Sequence, residues 1–323
     1  RLVGSEMCIR DSYYYKKTND ILVQTPYIAA MGEGGEPWVN GASMNNQGVE
    51  FTVSFKSDPS SEFQWAVSAN IGTYKTELTD LPSNVINKYA GDGVHDLILG
   101  RSPNSAYGLV ADGIFKTQEE VDAHADQPGK AVGRIRYKDL DGDGVINETY
   151  DRTWIGCYDP DFFGGLNFDF AYKGFDLNLF FEGMFGNDVN SDWKKESDIW
   201  LFTNPAWKNH ATRMLGGWSP DNPNSDIPAI SNNTANQEQR FSSWFIEDGS
   251  YIKLRNIELG YTFPTKLIKK MHMSNLRLYA AAYNVFTLKK FWGDDKYTSF
   301  DPERPSYHYL TPFTFNFGIN VSF

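Results

Sequence analysis

Nowhere in the 323 residues do eighteen apolar side chains follow one another, so the chain contains no candidate transmembrane helix. Cysteine is nearly missing: Cys8 and Cys157 form no disulfide framework and read as two free thiols. Basic residues are outnumbered, with 30 Lys and Arg against 41 Asp and Glu. The net charge of -11 excludes nucleic acid as a partner, because phosphate binding needs clustered cations. Catalytic signatures are lacking too. His95, His124, His210, His272 and His308 show no metal spacing, and no Gly-x-Ser-x-Gly, Walker-type or Cys-x-x-Cys sequence occurs, so the chain reads as a non-enzyme. The first residues form no signal peptide, which leads us to expect a mature exported protein or a fragment.

What is abundant is aromatic: 9 Trp, 18 Tyr and 23 Phe, in a chain whose mean hydropathy is -0.48. That mean is ordinarily the mark of a soluble protein, but a membrane barrel escapes the rule. Its strands alternate lipid-facing and lumen-facing residues, and the two averages cancel. The alternation is clearest at the end of the chain. Phe313, Phe315, Phe317, Ile319, Val321 and Phe323 share one parity, and Thr314, Asn316, Gly318, Asn320 and Ser322 share the other. A tilted membrane strand needs about nine to eleven residues, whereas sandwich strands average about five or six. This strand is long enough to span.

The same period recurs in Val49 to Phe55 and Phe63 to Ile71, joined by the turn Ser57-Asp58-Pro59-Ser60-Ser61. It recurs again in Leu166 to Tyr172 and Phe175 to Phe181 around Lys173-Gly174, with Asn167, Asp169, Asp176, Asn178 and Glu182 on the lumen side. A third hairpin joins Ser250 to Phe263 with Asn275 to Thr287. Its phase slips between Leu254 and Ile257, which predicts a bulge near Asn256. Long connections over 25 to 43, 116 to 159, 187 to 247 and 288 to 311 alternate with these short turns, the outer-membrane barrel arrangement. With a strand near Tyr13 to Gln24 and a further hairpin over 94 to 115 turning at Ser102-Pro103-Asn104, the count comes to about ten strands.

One loop carries metal-like spacing. Asp139, Asp141 and Asp143 stand at positions one, three and five of a calcium-type loop, with Gly144 at six, the Val145 carbonyl at seven and Asn147 at nine. The closing acid falls one residue late, at Asp151, so a bound Ca2+ and a purely turn-forming acidic loop are the two readings. Trp193, Trp200, Trp207, Trp218 and Trp244, in the longest loop, are candidates for stacking on a ligand, against the plainer roles of packing the loop or sitting in an interfacial girdle.

Several stretches resemble SusC/RagA-type TonB-dependent outer-membrane transporters. They are Tyr107 to Phe115, Ile135 to Ile146, Asp151-Arg152-Thr153, Ile155-Gly156, Tyr172 to Asp176, Ile246 to Ile257, Leu259-Gly260-Tyr261, Asn275 to Tyr279 and Asn284 to Thr287. The resemblance covers residues 13–323 in consistent order and implies the C-terminal part of a plugged barrel of about 22 strands. It also implies import of oligosaccharides or peptides across the outer membrane of a Gram-negative bacterium. Energy would come from the TonB complex, and a SusD-like surface lipoprotein would be the partner. Residues 1–12 fit no strand of that family and look like a translated sequencing adapter, so they are expected to be a non-native leader. The competing readings are a secreted calcium-dependent β-sandwich that binds glycans, and a surface glycan hydrolase, for which no paired-carboxylate signature appears.

Overall fold

The computed structural model describes residues 5–24, 37–83, 85, 97–199, 210–231, 235–289, 298, 300–305 and 310–323. The chain opens with three long strands: β1 (Glu6–Gln24), β2 (Trp38–Lys56) and β3 (Phe63–Asp80). Four short ones follow: β4 (Ser105–Leu109), β5 (Ala111–Ile114), β6 (Ile135–Tyr137) and β7 (Arg152–Cys157). Then come β8 (Phe162–Tyr172), β9 (Phe175–Phe185), the short β10 (Asp188–Asn190) and β11 (Ile246–Asp248), and finally β12 (Tyr251–Thr262), β13 (Asn275–Lys289) and β14 (Thr314–Ser322). The long strands form one antiparallel sheet of eight, ordered β1-β2-β3-β8-β9-β12-β13-β14.

Pairing register turns the alternation of single strands into two continuous faces. Row by row, Phe55, Val67, Phe168, Leu179, Ile257, Ala282 and Phe315 stand on one side, and Lys56, Ala66, Asp169, Asn178, Glu258, Ala281 and Asn316 on the other. Neither face of the sheet carries the main core. Phe317 is 79% exposed, and no second sheet covers the apolar side among the described residues, so the β-sandwich expectation fails. The buried cores lie above the long-connection rim. Leu109, Ile114, Ile135, Tyr137, Ile146, Ile199 and Phe245 form one cluster, and Val23, Ala42, Leu78, Leu81, Val85 and Ile98 form the other.

Short turns behave as their residues dictate. Lys173 and Gly174 both take positive φ, 49° and 87°, which is the type I′ geometry whose twist matches a two-residue hairpin. Asp58 accepts from the Ser60 amide at 2.8 Å and rounds the β2–β3 turn. The expected bulge is present: Arg255 is skipped in the pairing of β12 with both β9 and β13. One extra residue there keeps Ile252 and Leu254 on the same face as Ile257 and Leu259.

Three expectations are corrected. The sheet has eight strands, not ten, because the hairpin over 94 to 115 does not form; residues 94 to 96 lie outside the described residues. Ile98 is instead buried in the rim cluster, with the Gly100 amide donating to the Leu78 carbonyl at 2.7 Å. A short apolar run reads alike as a strand or as a buried turn. The second half of the supposed hairpin, β4, pairs with β7, and β5 with β6, so both belong to the loop cap. The edge strand also starts earlier than Tyr13. Glu6 to Ser12 pair with Lys56 to Glu50, since an edge ladder needs only backbone donors and acceptors. Finally, β2 begins at Trp38 and not at Val49. In its upper half, Asn45 to Gln47 are polar on both faces, while Val39, Ala42 and Met44 pack in the rim cluster.

Candidate functional site

Three places bear on function. The first is the acidic loop. Two glycines at positive φ, Gly142 (76°) and Gly144 (83°), bend the chain so that backbone amides turn inward. Asp139 accepts from the Gly142 amide (2.7 Å) and the Gly144 amide (2.9 Å); Asp141 accepts from Asp143 (3.1 Å) and Asp143 from Val145 (2.7 Å). Carboxylate oxygens of Asp139, Asp141 and Asp143 all come within 4.8 Å of one another. For Asp139, desolvation raises its pKa, but the Gly144 and Gly142 amides outweigh that and hold it below the ordinary value. For Asp141 the Asp143 amide pulls down, while desolvation and the charges of Asp143 and Asp151 push up, and the net shift is upward. Crowded carboxylates of this kind suit a hard cation.

The other three expected ligands are engaged differently. Asp151, 0% exposed, accepts from the Leu140 amide (2.8 Å) and the Asn147 amide (2.7 Å), and so ties the loop's two ends together. Asn147 Oδ1 caps the Thr149 and Tyr150 amides at 2.9 and 3.0 Å, and its Nδ2 reaches the Val145 carbonyl at 3.4 Å. The structure thus brings three of the six together and uses the others to brace the loop.

The second place is the tryptophan set. Trp218 packs against the loop core and over Gly133, and Trp244 packs there too, with the Lys194 ammonium 4.7 Å above its ring. Trp193 meets Phe300 edge-on at 4.6 Å. Trp193, Trp244 and Phe300, with Lys194, Arg213 and Glu247, line a cavity of about 1190 Å³. Trp200 and Trp207 lie outside the described residues.

The third place, the polar face of the sheet, is a network. Asn178 donates to Asn167 (3.1 Å) and Asp169 (2.7 Å) and accepts from Asn256 (3.0 Å), which links β8, β9 and β12. Arg277 bridges Asp176 and Glu258. Higher up, Arg255 forks onto Glu182 at 2.9 and 3.1 Å and also reaches Glu303, while Lys253 holds Asp301 at 3.0 Å and Glu303 at 2.7 Å. Asp176 and Glu182 were expected on this face from alternation alone. Lys253, Arg255, Asp301 and Glu303 were missed, because the bulge breaks the period at Arg255 and nothing local shows that residues 301 and 303 fold back onto β12.

No family model matches the chain. It is 30% identical to "TonB-dependent receptor P3" of Formosa agariphila, over 96% of this chain and 32% of that protein. It is 25% identical to "TonB-dependent receptor SusC" of Bacteroides thetaiotaomicron, over 96% of this chain and 29% of that one. Among solved structures, the RagAB peptide transporter superposes with a TM-score of 0.74 at 23% identity, covering 98% of this chain and 33% of its counterpart. The chain therefore spans about a third of the relatives it matches.

Proposed function

This chain is homologous to TonB-dependent receptors of the SusC and RagA type, and on that premise we propose that it forms an arc of an outer-membrane import barrel in a Gram-negative bacterium. Its apolar face meets lipid and its polar face lines the lumen, with short turns at the periplasmic rim and long loops outside. One observation carries the reading: the seven strands from β2 to β14 in the sheet sort their side chains into the same two faces, and the apolar one has no protein cover among the described residues. An exposed apolar band of that size suits hydrocarbon and not water.

The plug, the segment that contacts TonB and the remaining strands fall in the part of a receptor that this chain does not span. A SusD-like surface lipoprotein would sit over the loop cap, and the cargo is a nutrient oligomer, an oligosaccharide or a peptide. Trp193, Trp244 and Phe300 support that cargo reading through the apolar surface they give their cavity. Asp139, Asp141 and Asp143 are proposed to hold Ca2+, with water filling the remaining positions; Val145, Asn147 and Asp151 join only if the loop rearranges. Residues 1–12 remain proposed as a non-native leader, which the position of Asp11 supports. Its carboxylate stands opposite Phe51 in the apolar row, where a lipid-facing strand tolerates charge poorly.

The test is uptake by cells that depend on the full-length receptor. Loss of growth on the imported nutrient after deletion of the receptor, or of TonB, supports the reading; uptake that persists without TonB overturns it.

A further inference from the structure

The connection from β13 to β14 does not stay outside the sheet. Its described stretch from Phe300 to Pro305 turns back over the polar face, with Asp301 8% exposed and Pro302 buried. Lys253, beneath it, is 2% exposed, an unusual place for an ammonium group. Both Asp301 oxygens accept from Lys253 Nζ, at 3.0 and 3.2 Å. Glu303 is shared, one oxygen on Lys253 at 2.7 Å and the other on Arg255 at 2.5 Å. The Arg255 side that does not face the strap is held by Glu182.

Taken without the strap, this patch of wall carries two cations, Lys253 and Arg255, and one carboxylate, Glu182, for a net charge of +1. With the strap away both cations face solvent with only Glu182 beside them, a net-positive patch that favours an anion. The donors are also preorganised. Glu182 fixes the Arg255 fork, the bulge supplies Arg255 as an extra residue on this face, and Lys253 adds a compact charge beside it. Among the described residues the strap is also held by Trp193 against Phe300, by the Thr298 hydroxyl donating to Glu247 at 2.8 Å and by Lys289 Nζ donating to the Phe300 carbonyl at 2.9 Å. Its two acids are held to the wall by charge and hydrogen bonding, and other acids of the same chemistry can take their place.

We propose that Lys253 and Arg255 form a carboxylate-binding site on the lumen wall, that Asp301 and Glu303 are its resident occupants, and that a ligand bearing several carboxylates displaces the strap. This rests on reading the polar face as lumen. A tethered occupant competes at an effective concentration on the order of millimolar, which sets the ligand range to test.

The experiment uses the full-length receptor in outer-membrane vesicles, with Cys157 and any cysteine outside residues 13–323 replaced by Ser and the buried Pro302 by Cys. A membrane-impermeant maleimide reports how often the strap lifts. Hexaglutamate at about 10 mM should speed labelling by about an order of magnitude. Maltohexaose, and NaCl at matched ionic strength, should not. K253M should label fast without ligand and respond to none. If that variant does not fold, D301N/E303Q should behave the same way. No effect of hexaglutamate, an equal effect of NaCl, or slow labelling of the variants overturns the proposal. TonB-dependent nutrient uptake, measured in parallel, shows whether the import reading stands in that case.

Discussion

At the scale of single residues, Glu303 shows how the environment sets a charge. Desolvation pushes its carboxyl up, but hydrogen bonds and charge from Arg255 and Lys253 prevail and hold it at about 2, against an ordinary 4.5. A depressed value means that its contribution to holding the strap is complete above about 4.5 and is lost as pH falls toward about 2. Hydrogen-exchange protection over residues 300 to 305, taken relative to the intrinsic rate at each pH, should stay flat from pH 7 to 5 and fall below 4.5; a fall centred near neutrality would implicate another group. On β14, Phe317 stands in the apolar row and Asn316 in the polar one, near the strand's middle. Lysine at Phe317 should cost the full-length barrel about 2–4 kcal/mol if it lies at the bilayer midplane, and lysine at Asn316 much less. Equal losses in a folding assay would show that the two faces are not lipid and lumen.

At the scale of elements, turns and loops carry separate demands. Gly174 at φ 87° leaves no room for a side chain, since a Cβ there would sit 2.7 Å from the Thr262 carbonyl oxygen. Gly174→Ala should cost about 1–2 kcal/mol and lower the fraction of receptor that migrates as folded barrel. The acidic loop makes a different prediction. If Asp139, Asp141 and Asp143 hold calcium, residues 139 to 151 should resist protease in calcium and be cut faster in chelator. Identical cutting in both reduces the loop to a turn braced by Asp151.

At the scale of the whole molecule, the chain covers 33% of its RagAB counterpart, and if the full receptor closes with about 22 strands, as the resemblance implies, the eight strands here are roughly a third of its wall. Strand number, tilt and shear are linked, so eight strands in this register describe an open arc whose edges are β1 and β14. Unpaired edge groups cost several kcal/mol each in hydrocarbon, and the apolar face is unfavourable in water. Residues 13 to 323 expressed alone should therefore give no discrete ion-conducting pore in planar bilayers. A unitary conductance from that fragment would show that the arc closes by itself.

What the amino-acid sequence determined by itself is whatever depends on neighbours along the chain. The period of two in Phe313 to Phe323, the Lys173-Gly174 turn, the phase slip that required a bulge near Asn256 and the Asp139-Asp141-Asp143 spacing are all local, and all four are found in the structure. Tertiary structure decided the rest, because it depends on which distant segments meet. Leu97 to Leu99 read as a strand until the rim cluster offered Ile98 a place to be buried. β4 found its partner in β7, across an intervening acidic loop. Asp301 and Glu303 look like any solvated acids until the β13–β14 connection folds them onto Lys253 and Arg255, nearly fifty residues back along the chain. Backbone alternation is enforced residue by residue, whereas an ion pair across a lumen wall exists only once the sheet has brought its two halves together.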